Sequence, residues 1–167
     1  MLIGAPAPEL DASEWIGLPR PLAALRGRVV LVEVFQMLCP GCVSHGLPQA
    51  KRVEELFPEV AVIGLHSVFE HHEAMPPVAL RAFLDEYRIR FPVAIDRHDG
   101  DRIPVTMRTY ALQGTPSTLL IDRAGRLRQI AFGPLDDLAL GAYLGQLLGE
   151  AGPDAEPAIE LEPETAG

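Results

Sequence analysis

An α/β sandwich with a mixed sheet is the fold class that the sequence predicts, and three observations predict it. Short β-branched apolar runs, chief among them Val29 to Phe35 and Val60 to Leu65, read as buried strands. Stretches with helical apolar spacing alternate with such runs through most of the chain. Near the end, Asp122-Arg123-Ala124-Gly125 supplies turn chemistry between two apolar runs, which predicts an antiparallel hairpin. At 167 residues and 48% hydrophobic, the chain is long enough for one core and too short for two.

Taken in order, Met1 to Leu25 is rich in Pro and Ala, with isolated apolar anchors at Leu10, Trp15, Ile16 and Leu22. It reads as an ordered but irregular approach segment, with Trp15 as core rather than site. Arg26-Gly27-Arg28 turns into Val29-Val30-Leu31-Val32-Glu33-Val34-Phe35, which suits a central strand covered on both faces and carries one acid. After Cys39-Pro40-Gly41-Cys42 a helix runs to Phe57, with Val53, Leu56 and Phe57 on its apolar face, disturbed by Gly46 and bent at Pro48. Val60 to Leu65 is the second strand, and the His- and Pro-rich segment through Pro77 is a loop insertion. A helix over Ala79 to Tyr87 and a short strand over Val93 to Ile95 follow. Arg97 to Asp101 is a loop and Val105 to Ala111 a short helix. Thr118 to Asp122 and Leu127 to Phe132 form the hairpin, and the last helix covers about Leu135 to Leu148. The Pro/Glu/Ala stretch 150–167 lacks the apolar surface to order itself, which leaves 1–149 as the domain.

The net charge of −9 is partly concentrated in that tail, where Asp154, Glu156, Glu160, Glu162 and Glu164 occur without a basic residue. The body is only mildly acidic and lacks the clustered Lys and Arg of a phosphate-backbone binder, so nucleic acid is not an expected partner. No apolar run reaches membrane-spanning length, and no membrane partner is expected. The N-terminus has no basic region leading into a long apolar stretch. Cytoplasmic residence is therefore expected, or periplasmic residence if a leader has been trimmed; a monomer is expected.

The two cysteines, Cys39 and Cys42, are only three positions apart, a spacing whose closed loop would constrain the unfolded chain little. Their value is chemical. A thiolate, not a thiol, attacks a disulfide. Cys39 stands between a buried strand and a helix whose first turn begins near Pro40, where unpaired N–H groups and the helix dipole stabilise an anion. Cys42 lies one turn on and deeper, placed to resolve a mixed disulfide. Glu33 is an acid within an apolar strand, costly unless paired or protonated. It lies six positions before Cys39, where strand geometry can set it beneath the dithiol to take the proton of Cys42; the alternative is an acid facing solvent from an edge strand. Gln113-Gly114-Thr115-Pro116-Ser117 precedes a strand. An ordinary turn and a cis Thr115–Pro116 bond both suit it; in the cis case the Thr115 backbone can face the dithiol and pair with an extended substrate.

These residues carry a resemblance. An acid six residues before Cys39-Pro40-Gly41-Cys42, with Gly114-Thr115-Pro116-Ser117 far downstream, resembles the thioredoxin superfamily. The opening Ile3-Gly4-Ala5-Pro6-Ala7-Pro8 and the long segment after the second strand resemble its TlpA-like and redoxin (AhpC/TSA-like) branch. The resemblance covers roughly Ile3 to Leu148. It implies a thioredoxin-like three-layer α/β/α sandwich and a thiol-disulfide oxidoreductase, with Cys39 attacking, Cys42 resolving, Glu33 accepting the proton and Pro116 as the cis-proline. Pro40 and Gly41 complete the motif, and Thr115 with Pro116 would bind substrate. No cofactor is implied; the partners are a disulfide-containing protein or small-thiol substrate and an upstream dithiol or reductase. Two positions depart from the pattern. Leu38 stands where an aromatic residue is usual, and the helix proline falls six residues after the second cysteine, at Pro48, rather than five.

Three competing readings remain. A peroxiredoxin places Thr three residues and Pro seven residues before its peroxidatic cysteine, where this chain has Gln36 and Val32, which disfavours a peroxidase. A Cys-x-x-Cys can be half of a zinc site, with His45, His66, His71 and His72 as further nitrogens, but the spacing is not that of a zinc finger and no metal is expected. A binding protein on the same fold, with incidental cysteines, is disfavoured by the intact dithiol. Glu73, Met75, Pro76 and Pro77 are expected to shape a lid or partner surface.

Overall fold

Seven consecutive residues, Val29–Phe35, form a strand with every residue buried, as a β-branched run covered on both faces should. This strand, β2, lies inside a six-stranded sheet in the computed structural model, which describes residues 2–152. Around it the chain runs through β1 (Ala12–Ile16), α1 (Leu47–Leu56), β3 (Val60–His66), α2 (Pro77–Glu86), β4 (Val93–Asp96), α3 (Val105–Thr109), β5 (Ser117–Ile121), β6 (Leu127–Phe132) and α4 (Asp137–Gly149). The strand order is β1-β4-β3-β2-β5-β6. β3 pairs parallel with β2 and β4, and the remaining pairs are antiparallel, so the sheet is mixed as expected.

Alternation along β2 sorts the core into two layers. Val29, Leu31 and Phe35 pack on one face with Leu47, Ala50 and Val53 of α1, Leu80 and Leu84 of α2, and Leu140, Leu144 and Leu147 of α4. Val30, Val32 and Val34 face the other layer, closed by Tyr110 after α3 and by Leu10, Leu22 and Leu25 of the N-terminal segment. Glu33 shares the parity of Leu31 and Phe35, so its carboxyl is directed to the face that α1 covers. Its neighbours in register are Gly64 on β3 and Thr118 on β5. The reading of Glu33 as an edge-strand acid facing solvent is excluded by its 1% exposure.

The N-terminal segment is more regular than expected. Ala12–Ile16 is an edge strand, antiparallel to β4. It is half-buried and mixes Ser13 and Glu14 with Trp15 and Ile16, so it lacks the apolar pattern that identifies a strand from sequence. Trp15 packs partly buried against the second layer, on the core side of the expectation. Helix boundaries move by a few residues: Pro77 starts α2, where its fixed φ suits a first turn, and α4 begins after Asp136 rather than at Leu135. Glu150, the first residue of the expected tail, is held by Arg128 through a bidentate contact of 2.6 and 2.8 Å; the remainder from 153 lies outside the described residues. Among the described residues, no helix is long and apolar enough to cross a membrane.

Asp136 caps α4, its carboxylate accepting from the Leu138 and Ala139 N–H groups at 2.9 and 3.1 Å. Replacing it leaves two N-terminal donors without that partner. Asp136→Ala should lower stability by about 1 kcal/mol, read as a lower urea midpoint at unchanged m; an unchanged midpoint would show that the cap contributes nothing to holding α4.

Candidate functional site

The helix that carries the dithiol starts at Pro40, with Cys39 just ahead of it. Cys39 O accepts from the N–H groups of Cys42 and Val43, both at 3.1 Å, and the Cys42 N–H also lies 3.3 Å from Cys39 Sγ. A helix N-terminal donor is therefore aimed at this sulfur, as the motif position predicts. Cys39 is half-buried, whereas Cys42 is fully buried, and both are free thiols. Burial, reinforced by the neighbouring Cys39 sulfur, pushes the Cys42 thiol well above its ordinary range.

The helix widens just ahead of Pro48. Cys42–Gly46 forms a π turn before α1, and the Leu47 N–H donates to Cys42 O, five residues back. Pro48 has no N–H to give Ser44 O, and the wider turn suits that gap. A π turn holds one residue more than an α turn, so it absorbs the extra residue that sets Pro48 six positions after Cys42.

Opposite the dithiol, the Thr115–Pro116 bond is cis. Thr115 O lies 3.5 Å from Cys39 Sγ, within reach of a thiol donor. Pro116 O is taken by the Gly133 N–H at 2.8 Å, which ties this segment to the end of β6. Gly41 is the close neighbour of Pro116 across the site: a Cβ there would stand 3.3 Å from Pro116 Cδ.

Glu33 lies beneath α1. Thr118 Oγ1 donates to its Oε2 at 3.2 Å, while Oε1 has no hydrogen-bond partner among the described residues. Burial raises this carboxyl to about 8, opposed only by the Thr118 bond. The structure thus brings Cys39, Cys42, Pro40, Gly41, Thr115 and Pro116 together at one end of the sheet, and sets Glu33 behind the helix.

Two groups at this site were not singled out from sequence for what they do. His66, weighed there only as a metal ligand, accepts the Met37 N–H on Nε2 at 3.2 Å. Burial pushes its imidazole down to about 4, so the ring is neutral and carries its proton on Nδ1. Gln36 O accepts from the Cys39 N–H at 3.0 Å, and its side-chain oxygen accepts from the Phe69 N–H at 3.1 Å. Both residues hold the loop from β2 to Cys39 against the end of β3. The other histidines disperse: His45 Nε2 is 2.8 Å from Leu135 O and His72 Nε2 is 2.9 Å from Arg102 O. Among the described residues no group of three or more His, Cys, Asp or Glu side chains is placed to hold a metal. In the expected lid, Met75 is buried, so it serves packing rather than a partner surface.

Glu33 and His66 give stability opposite pH dependences. The Glu33 carboxyl, raised from 4.5, keeps in the fold a proton that the unfolded chain has released, so stability falls as pH rises toward about 8. The His66 ring, lowered from 6.5, stays neutral in the fold while the unfolded chain protonates, so stability rises with pH up to 6.5. The slopes oppose each other below 6.5, and Glu33 acts alone of the pair above it. Between pH 6.5 and about 8 the reduced protein should lose on the order of 2 kcal/mol, measured by urea denaturation. Glu33→Gln should abolish that loss; the same loss in the variant would assign the titration to another group.

The AhpC/TSA family profile matches residues 3–130. A solved thioredoxin-like superfamily protein is 55% identical with a TM-score of 0.87, covering 89% of this chain and 99% of that one. A thiol-disulfide isomerase from Corynebacterium glutamicum is 55% identical with a TM-score of 0.84, covering 87% and 97%. The thiol-disulfide oxidoreductase ResA of Bacillus anthracis is 26% identical over 88% of this chain and 79% of its own length. Protein DipZ of Mycobacterium bovis is 28% identical over 95% of this chain, which spans only 25% of DipZ. Since the family match runs through both cysteines and the Thr115–Pro116 bond and on into β6, the chain belongs to the AhpC/TSA family, in the redoxin branch of the thioredoxin superfamily.

Proposed function

We propose that this oxidoreductase reduces disulfide-containing substrates through Cys39 and Cys42, as a monomer in the cytoplasm. The observation that carries the reading is the unequal setting of the two sulfurs. Cys39 is partly accessible with a helix N-terminal N–H on its sulfur, and Cys42 is sealed behind it with its thiol held protonated. An attacking sulfur needs access and anion stabilisation; a resolving sulfur needs only proximity and a base.

A substrate disulfide docks along Thr115, and the Cys39 thiolate attacks one of its sulfurs. That S–S bond breaks, the departing sulfur takes up a proton, and a mixed disulfide joins Cys39 to the substrate. Cys42 then gives its proton to the Glu33 carboxylate and attacks Cys39 Sγ. The Cys39–Cys42 disulfide forms, the second substrate thiolate leaves and is protonated from solvent, and two electrons have passed to the substrate. A carboxyl that titrates near 8 is poised close to working pH for such a transfer. An upstream dithiol or reductase restores the reduced pair. The names of the C. glutamicum isomerase and of ResA support this chemistry class.

Cys42→Ser should trap a mixed disulfide with a disulfide-bonded peptide, and Cys39→Ser should trap none, both read by non-reducing mass analysis. Failure of Cys42→Ser to trap through Cys39 would falsify the assignment. Titration in defined thiol-disulfide buffers should give one reversible two-electron transition near the thioredoxin value of about −270 mV. A value near −120 mV would instead make the protein an oxidant.

A further inference from the structure

Gly46 stands inside a helix, where glycine costs about 1 kcal/mol relative to alanine, and its backbone supplies no reason for it. Its φ of −61° and ψ of −53° are right-handed values that alanine adopts more readily. The reason lies across the boundary between helix and sheet. A Cβ on Gly46 would overlap Glu33 Oε1 outright, and would stand 3.1 Å from both Glu33 Cδ and Pro116 Cβ. The carboxyl has little freedom to retreat, because it is buried in β2 and tied to Thr118 through its other oxygen. The oxygen that meets Gly46 is the one without a hydrogen-bond partner among the described residues. Gly46 also closes the π turn that Cys42 opens, so both residues belong to the same inward side of the helix.

We propose that Gly46 is a positioning residue for proton transfer: its missing side chain lets the Glu33 carboxyl reach the turn that carries Cys42, with its free oxygen toward that turn. The inference rests on the reading of Glu33 as the proton acceptor. Glu33 and Gly46 then form a steric pair, in which the longer acid requires glycine and an acid shorter by one methylene would tolerate alanine. From the sheet, the register neighbours of Glu33 are Gly64 and Thr118, neither of them charged. The turn that meets the acid carries Cys42 and His45, whose ring bonds Leu135 O, with Cys39 just ahead of the helix, and the later turns of α1 carry Lys51, Arg52, Glu54 and Glu55. In the step served, the Cys42 S–H bond breaks and its proton passes to the carboxylate. The electron pair left on sulfur forms the bond to Cys39 Sγ, and the substrate sulfur leaves with the pair of the broken S–S bond.

The test uses the full chain with an aryl disulfide that releases one coloured thiol when Cys39 attacks and a second when Cys42 resolves. The second release is followed against pH relative to the first. Gly46→Ala should slow it by on the order of 100-fold and flatten its pH step, as Glu33→Gln should. Glu33→Asp combined with Gly46→Ala should be faster than Gly46→Ala alone and should regain the step, a rescue that mere destabilisation of the helix cannot produce. If Gly46→Ala keeps the native rate ratio and pH step while Glu33→Gln loses them, the steric pair is wrong and the role of Glu33 stands. If Glu33→Gln also keeps them, the proton-acceptor reading fails with it. Should Gly46→Ala not fold, recovery of folding in the double variant supports the pair, and failure of both to fold counts against it.

Discussion

Glu33 sits in a strand buried on both faces, and a carboxyl so placed is stable when it is neutral or when its oxygens are bonded. Among the described residues only one oxygen is bonded, to Thr118. The consequence is a group that holds its proton until pH rises to about 8, at a point in the core where another Leu or Val would have been more stabilising. The surroundings are fitted to it. β2 lies inside the sheet with Gly64 and Thr118 beside the acid, and the covering helix presents bare backbone at Gly46 instead of a side chain. An unsatisfied polar group in a well-packed core calls for an explanation, and a chemical role is one that fits a carboxyl behind a dithiol.

The accessible half of the site is built by different means. Between the end of β2 and Cys39 the chain could move as a loop, but the Met37 N–H is taken by His66 and the Cys39 N–H by Gln36 O, and the Gln36 side chain in turn holds the chain beyond β3. His66 does this as a neutral, buried ring whose centroid lies 5.1 Å from that of Phe35, the two planes tilted by 46°, so the anchor packs against an aromatic ring and bonds through its edge. Leu38 projects from this held loop with 53% exposure, which places an aliphatic surface beside Cys39. On the proposed reading, a held approach to Cys39 and a buried carboxyl behind Cys42 divide the reaction between the two sides of a single helical turn.

The π turn joins these halves. It begins at Cys42, ends at Gly46 and precedes Pro48, whose missing N–H removes one α-helical bond. One added residue before the proline would rotate the rest of α1 and its core face out of register if the helix stayed regular. Confining the extra residue to a π turn keeps Leu47, Ala50 and Val53 in the core and leaves Cys42 and Gly46 toward the acid.

Much of this was legible along the chain. The apolar run of β2, broken only by Glu33, the hairpin around Asp122 and Gly125 and the dithiol spacing are local patterns, set by periodicity and by residue types that are costly anywhere except where they are used. The edge strand β1 was not legible, because a half-exposed strand paired on one side needs no apolar alternation. Nor was the work of Gln36, His66 or Gly46, each of which is an unremarkable residue by type: Gly46 reads as a helix disturbance until Glu33, thirteen positions earlier, is brought against it. Sequence by itself determined the sheet's central strand and which residues carry reactive groups, since these depend on side-chain chemistry and short-range spacing. Only the tertiary structure decided how completely Cys42 is sealed, which oxygen is left unbonded and which backbone makes room for it, because solvent exclusion and close approach are properties of packed neighbours distant in the chain.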